Sequence, residues 1–286
     1  MIKKLLFILT FMFVLTGCDF SMNNMENIEI YTTNYPSEYI TSRLYGDHST
    51  IHNIYPNVVN VYEYKLTKKQ IHDYSASDLF IFNGLSDKEK EYATKMRNNN
   101  KKLKIIDTTM AMEFTDSLEM LWLDPSNFLM MAQNIKKGFG EYINNYYLNN
   151  DIDKNYESLK VDASNLDAKI KKLIENADND TIVCSSDMLN FLEKYGLTVY
   201  SLADENNSKN QEIVKDLIRT GKINVIFVKD NEEVEKYIKD LIKGSHVKTQ
   251  TWYTLTNISE EKKNSNADYF TIMNENVDLL RNELYN

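Results

Sequence analysis

The sequence predicts an α/β protein of two lobes, each with a parallel sheet flanked by helices, joined by a long spine helix. Three observations predict it. Short β-branched runs alternate with helical stretches between residues 28 and 107, the pattern of a parallel sheet covered on both faces. Apolar residues then recur at Tyr156, Leu159, Ala163, Leu166, Ile170, Leu173 and Ile174, in steps of three and four that define one amphipathic helix face. From residue 181 the strand–helix rhythm restarts. No Gly or Pro interrupts the middle stretch, so a stiff rod between two similar halves is expected, with a cleft at the carboxyl ends of the strands, where ligands of such sheets bind.

The elements follow in order. Residues 28–33 read as a strand closed by Asn34-Tyr35-Pro36, and a helix ends at Gly46-Asp47. Residues 50–55 form a second strand. Thr67 is placed to cap a helix over 68–75, because its hydroxyl accepts from an otherwise orphaned backbone N–H. Residues 78–82 and 103–107 complete the first sheet, with a solvated helix over 87–98 between them. In the second half, strands are expected at 181–184, 197–202, 223–228 and 247–255. Helices at 188–195, 211–220 and 232–243 stop at Gly196, Gly221 and Gly244, glycine being the residue that tolerates the left-handed turn past a helix end. A last helix covers 268–284. The boundaries are residues 1–17 as a signal peptide, 18–27 as a tether, 28–150 as the first lobe, 151–178 as the spine and 179–286 as the second lobe.

The start of the chain carries its own signal. Lys3 and Lys4 precede the apolar run 5–15, which leads into Leu15-Thr16-Gly17-Cys18. A basic start, a short apolar stretch and small residues describe a secretory signal, and the run falls short of the ~20 residues that span a bilayer. The Leu-Thr-Gly-Cys tetrapeptide resembles a bacterial lipobox, which implies cleavage before Cys18 and acylation of its sulfur. The protein is then exported and held at the outer face of the cytoplasmic membrane by lipid. Removing 1–17 takes away two lysines and no acid, moving the formal charge from −9 to −11. That balance excludes a nucleic-acid partner, which needs a basic footprint, and gives an anionic bilayer no charge to attract. With Cys18 acylated, Cys184 has no partner for a disulfide, and a small buried hydrophobe is its expected role.

Several stretches, in this order, resemble the zinc/manganese ABC-transporter solute-binding lipoproteins, also called adhesin-type. They are Tyr-Thr-Thr-Asn-Tyr-Pro at 31–36, Ser-Asp-Leu-Phe-Ile-Phe-Asn-Gly-Leu at 77–85, Leu-Trp-Leu-Asp-Pro-Ser-Asn at 121–127, Tyr195-Gly196-Leu197, and Asn-Glu-Asn-Val-Asp-Leu-Leu at 274–280. The resemblance implies the two-lobed fold of metal-type solute-binding proteins, a single cleft, an ABC permease and its ATPase subunit as partners, and a divalent metal ion, zinc or manganese, as the transported solute. No further cofactor is implied.

The same alignment puts unusual residues where that family holds its metal. The first His position falls on Tyr62, beside Glu63 and Tyr64; the second on Met120; the third on Ser185, or Ser186 with a one-residue slip; the last near Thr251. Lys229 stands where an acid often follows the strand, and Tyr35 is a further cleft candidate. Zn²⁺ and Mn²⁺ take imidazole and carboxylate donors, whereas a phenol titrating near 10, a thioether and a hydroxyl form a poor set. A lysine facing the cleft repels a cation. Tyr62 and Tyr64 suit stacking on an organic ligand and Met120 a soft pocket, so the residues leave open a metal held in altered fashion or another solute. If Tyr62, Met120 and Ser185 converge, they face one cavity between the lobes. The alternative function is a non-transport surface lipoprotein, an adhesin or accessory subunit that has lost metal binding.

His48, His52, His72 and His246 form no pair at metal spacing on one expected face. Trp122 is expected to anchor packing and Asp124 to cap a helix. An enzyme is not expected. The sequence has no phosphate-cradling Gly-rich loop, no His-Glu-x-x-His and no Gly-x-Ser-x-Gly, and Ser185-Ser186-Asp187 lacks a nearby histidine base.

Overall fold

The computed structural model describes residues 25–56, 59–113, 117–204, 207–230 and 232–285. The signal peptide and Cys18 lie outside them. Among the described residues, eight strands form two four-stranded sheets, all parallel, in the orders β2-β1-β3-β4 and β6-β5-β7-β8. The first comprises β1 (Ile28–Thr32), β2 (Ser49–Asn53), β3 (Leu79–Phe82) and β4 (Lys104–Asp107); the second comprises β5 (Thr181–Cys184), β6 (Thr198–Ser201), β7 (Val225–Lys229) and β8 (Lys248–Trp252). The central strand β3 is buried throughout, as are the interiors of β5 and β7, as expected of strands covered by helices on both faces.

The helices are α1 (Tyr35–Tyr45), α2 (Lys68–Tyr74), α3 (Asp87–Asn99), α4 (Met120–Leu123), α5 (Pro125–Tyr142), α6 (Tyr146–Glu175), α7 (Ser208–Thr220), α8 (Lys236–Ile242), α9 (Glu260–Asn264) and α10 (Tyr269–Leu284). Their starts follow local chemistry. Asn34 accepts from Ser37 N at 2.9 Å to start α1, Thr67 and Gln70 form a reciprocal capping box on α2, and Asp124 accepts from Ser126 N at 2.8 Å to start α5. Gly138 of α5 lies so close to β4 that a Cβ there would stand 2.6 Å from the Ile106 side chain; only glycine allows the helix to seat at that depth.

The spine is α6, thirty residues long and capped by Asn145. It begins at Tyr146, five residues before the expected boundary. Leu159, Ala163, Leu166 and Ile170 are buried along one face, and that stripe belongs to a single apolar cluster that also contains β1, α5, β5 and α10 residues. Arg43 of α1 pairs with Asp162 of the spine at 2.8 Å, and Tyr285 donates to the Leu173 carbonyl at 2.9 Å, so both lobes are fastened to the rod. Satellite cores back the outer faces of the two sheets.

Four details depart from the expected elements. Met25 is 1% exposed and accepts a hydrogen bond from Tyr45 through its carbonyl, so the chain enters the fold within the stretch read as tether. Residues 187–195 form a 3₁₀ segment rather than an α-helix. The helix expected from 232 begins at Lys236, and Glu232 before it lines the cleft. β8 stops at Trp252, because the Tyr253 backbone instead makes two hydrogen bonds with the Asn276 side chain, at 3.0 and 2.8 Å.

Candidate functional site

The lobes meet where the carboxyl ends of both sheets face each other. Trp122 donates from its indole to the Thr254 carbonyl at 2.7 Å, Tyr35 N to the Thr256 carbonyl at 3.2 Å, and Asn257 Nδ2 to the Val59 carbonyl at 2.8 Å. Between these ties lies a cleft of about 20 Å³, lined among others by Tyr62, Glu119, Lys229, Asp230, Glu232 and Thr254. One water needs ~10–15 Å³ by this kind of measure, so the space admits a single small group.

Each wall is built locally. Tyr62 sits on the loop after β2. Asn60 shapes that loop by accepting from Tyr62 N at 3.0 Å through its side chain and from the Glu63 and Tyr64 amides through its carbonyl. Lys88 of α3 clamps it from behind, donating to the carbonyls of Val61, Tyr62 and Tyr64 while lying 5.1 Å from the centre of the Tyr55 ring. Glu119 immediately precedes α4 and is 2% exposed; one of its carboxylate oxygens accepts from Ser117 Oγ. Lys229 is the last residue of β7, so its side chain emerges at the sheet's carboxyl edge. Asp230 accepts from Thr254 twice, at 2.9 Å from the amide and 2.6 Å from the hydroxyl.

The centre of the cleft is an ion pair across the lobes. Lys229 Nζ lies 2.6 Å from Glu119 Oε1 and 3.8 Å from Glu232 Oε1, and 5.6 Å from the centroid of the Tyr62 ring, within cation–π range. The Tyr62 hydroxyl interacts with Glu119 and Thr256. Although 40% of Tyr62 remains exposed, its hydroxyl end is enclosed, and burial and then Glu119 hold the phenol well above its ordinary range. Burial alone would raise Glu119, but the Lys229 ammonium and Ser117 outweigh it and hold the carboxyl below its usual value. Burial works to lower Lys229, and Glu119 and Glu232 reverse this and raise it. Carboxylate and ammonium are therefore both charged at neutral pH. Behind the cleft, Glu89 is enclosed beneath the Tyr62 loop and accepts from Asn83 N at 2.8 Å. Burial pushes it up to about 7 against the pull of its hydrogen bonds.

The other residues singled out from sequence fall as follows. Tyr62 and Lys229 line the cleft. Met120 packs against the main core, and its neighbour Glu119 supplies the cleft residue. Ser185 and Ser186 line an adjoining pocket that shares Lys229 and Glu232. Thr251 is exposed on β8, and Thr254 and Thr256 reach the cleft instead. Glu63 is exposed, Tyr64 accepts from Gln70 Nε2 at 3.0 Å, and Tyr35 is buried at the start of α1. Tyr62, Met120 and Ser185 thus do not share one cavity. Sequence reasoning missed Glu119; the only signal for it was an acid one residue from the aligned position.

Among the described residues no group of three His, Cys, Asp or Glu side chains is arranged to hold a metal ion. All four histidines lie away from the cleft. His52 is 3.5 Å from Glu29 on the sheet edge, and His246 faces the Ile223 carbonyl. Cys184 is buried, its thiol pushed up to about 12 by burial. Trp122 and Asp124 hold the packing and capping places expected of them.

Residues 30–283 match the family model described as "ZnuA: Zinc-uptake complex component A periplasmic". The chain is 23% identical over 274 residues to the metal ABC transporter substrate-binding lipoprotein FimA of Streptococcus parasanguinis, covering 88% of this chain and 87% of that one. It is 23% identical over 284 residues to the manganese ABC transporter substrate-binding lipoprotein PsaA of Streptococcus pneumoniae, covering 90% and 89%. Among solved structures, the Zn(II)-bound ZnuA-like domain of Streptococcus pneumoniae AdcA superposes with a TM-score of 0.74 at 19% identity, over 91% of this chain and all of that one. Against Zn(II)-bound AdcA itself the TM-score is 0.73 at 18% identity, and the chain spans 58% of that protein.

Proposed function

The chain belongs to the zinc-uptake complex component A family, and from that premise we infer an extracytoplasmic substrate-binding component of a metal-type ABC importer whose cleft is closed by its own lysine ammonium. It is not an enzyme. The lobes enclose a solute, a permease and its ATPase subunit receive it, and lipid on Cys18 holds the protein at the outer face of the membrane. The ordered family match over residues 30–283 and the lipobox at 15–18 support this reading.

The observation that carries the finer part is the 2.6 Å contact between Lys229 and Glu119. The ammonium rests against a buried carboxylate, under a tyrosine ring, with a second carboxylate 3.8 Å away. In electrostatic terms it occupies the place of a bound cation. A divalent ion about 4 Å from that ammonium would meet a repulsion of roughly 8 kcal/mol at an effective dielectric of ~20. An ion that displaces the lysine to reach Glu119 must first break the 2.6 Å pair between them. Tyr62 does not compensate as a ligand, since its phenol is held protonated. Bare Zn²⁺ or Mn²⁺ is therefore not the resident of this closed cleft.

Calorimetric titration of the purified mature protein with Zn²⁺, Mn²⁺ and Fe²⁺ tests the reading. The expected result is no binding at micromolar concentration for any of the three. Micromolar binding that disappears in Glu119→Gln would mean that the ammonium yields to the metal.

A further inference from the structure

We propose that Tyr146 and Tyr147, at the start of the spine, seat the first lobe on the bilayer surface by placing their rings among the lipid headgroups. The proposal rests on the reading above that lipid on Cys18 anchors the chain. Tyr146 and Tyr147 are 77% and 78% exposed, the most exposed large apolar side chains among the described residues. Their rings meet edge to face, with centroids 5.8 Å apart. A tyrosine has an apolar body and a polar tip, and such rings collect at membrane–water interfaces.

A fixed element presents the rings. Asn145 accepts from the amides of Tyr147 and Leu148 at 3.0 and 3.3 Å. Asn149 Nδ2 donates to the Ile143 carbonyl at 3.0 Å, and Ile143 and Leu148 are buried in the main core. Residues 142–150 carry no charge, in a chain of which 26% is charged. That stretch can enter a headgroup layer without stripping water from carboxylates of its own.

The anchor lies at the same end of the molecule. Asn145 Nδ2 also donates to Glu26 Oε1 at 3.3 Å, next to the buried Met25. Cys18 and Met25 are seven positions apart, a span of at most about 25 Å. The acyl chains and the rings are therefore within one short tether of each other. A second copy of the chain suits this face less well. Two tyrosines bury about 300–500 Å² between them, against the roughly 1,000 Å² of a stable protein interface. A bilayer requires less, because the lipid already holds the face near it at an effective concentration of about millimolar. The acidic mature chain draws no attraction from charge, so the rings do the seating.

The test is fluorescence quenching of the full mature protein, acylated at Cys18 and reconstituted in vesicles of phosphatidylcholine brominated on the upper acyl carbons. Trp122 and Trp252 are buried and give the same background in every variant. Tyr147→Trp adds an indole at the proposed seat. Tyr285→Trp adds one beside Leu173, near the far end of the spine and about 40 Å away. Bromine quenches only near contact, and a seated ring lies ~5–10 Å into the headgroup region, so Tyr147→Trp should be quenched at least about twofold more than Tyr285→Trp. Tyr146→Trp should behave like Tyr147→Trp, and it takes its place if the thermal midpoint of the first variant falls below that of the parent. Equal quenching at the two ends overturns the proposal. Flotation of the vesicles separates the two readings. Protein that floats with them but shows no selective quenching defeats this proposal alone. Protein recovered without an acyl chain on Cys18, or left behind by the vesicles, defeats the anchor reading and the seat with it.

Discussion

The two lobes share a strand order and a parallel hydrogen-bonding scheme, but they bring opposite chemistry to the cleft. The amino-terminal side contributes a buried carboxylate, Glu119, and a phenol, Tyr62; the carboxy-terminal side contributes the ammonium of Lys229, with Asp230 and Glu232 around it. The sheets are alike because parallel strands buried on both faces accept almost any β-branched or aromatic run of the right length. The walls differ because they are built from residues at strand ends and in the segments between strands and helices, which are freer to carry function than the buried strand interiors. Fold and cleft chemistry are thus encoded separately. The lobes of a metal importer's binding component persist here around a centre that supplies its own cation.

The comparison breaks most sharply at Lys229. Lys229→Met removes the ammonium that Glu119 and Glu232 face and leaves Glu119 buried without a counter-charge. The expected loss is about 3–5 kcal/mol of stability in urea denaturation at neutral pH. A loss below about 1 kcal/mol, the range of an exposed pair, would mean that the contact is ornamental.

A smaller effect sharpens the contrast between the two buried acids of the amino-terminal side. Glu119, held low by Lys229, adds stability that is present above the carboxylate's unfolded value and is lost as pH falls through its lowered folded value. Glu89 has the opposite sign. Its folded value, about 7, lies above the ordinary 4.5, so the folded state holds a proton that the unfolded chain has released, and stability declines as pH rises from about 4.5 to 7. The size is on the order of 3 kcal/mol across that window. Glu89→Gln should flatten that part of the stability–pH curve and leave the acid limb due to Glu119 in place. An unchanged slope would show that Glu89 does not titrate in that window.

Most of the fold was legible in the sequence for physical reasons that can be named. The alternating strands and helices, the three–four spacing from Tyr156 to Ile174 and the glycines after residues 195 and 220 each express a local rule, and the structure follows them. Legibility failed where a tertiary contact overrides local preference. Met25 joins the core because Tyr45 reaches its carbonyl. β8 ends early because Asn276 takes over the Tyr253 backbone, and α8 starts late, after Glu232 at the cleft and Glu233 to Glu235 at the pocket beside it. The site was half legible. Lys229 was visible as a charge in the wrong place for a metal, and Tyr62 as a lost histidine. Glu119 was hidden because the alignment register pointed to Met120, and one residue of slip around a short helix exchanges a core thioether for a cleft carboxylate. The pairing of Glu119 with Lys229, 110 residues apart in the chain, follows from how the lobes close and from no local pattern.

The central claim, that an internal ammonium takes the cation's place by pairing with Glu119 across the lobes, is tested most directly by a double-mutant cycle. Stability is measured by urea denaturation for the parent, Lys229→Met, Glu119→Gln and the combined variant at neutral pH. The account predicts strong coupling. Each single change is costly, and the double variant is more stable than the sum of the two losses implies, by about 2 kcal/mol or more, within the range for contacting charged residues. Additive losses, agreeing within about 0.5 kcal/mol as for independent sites, would contradict it.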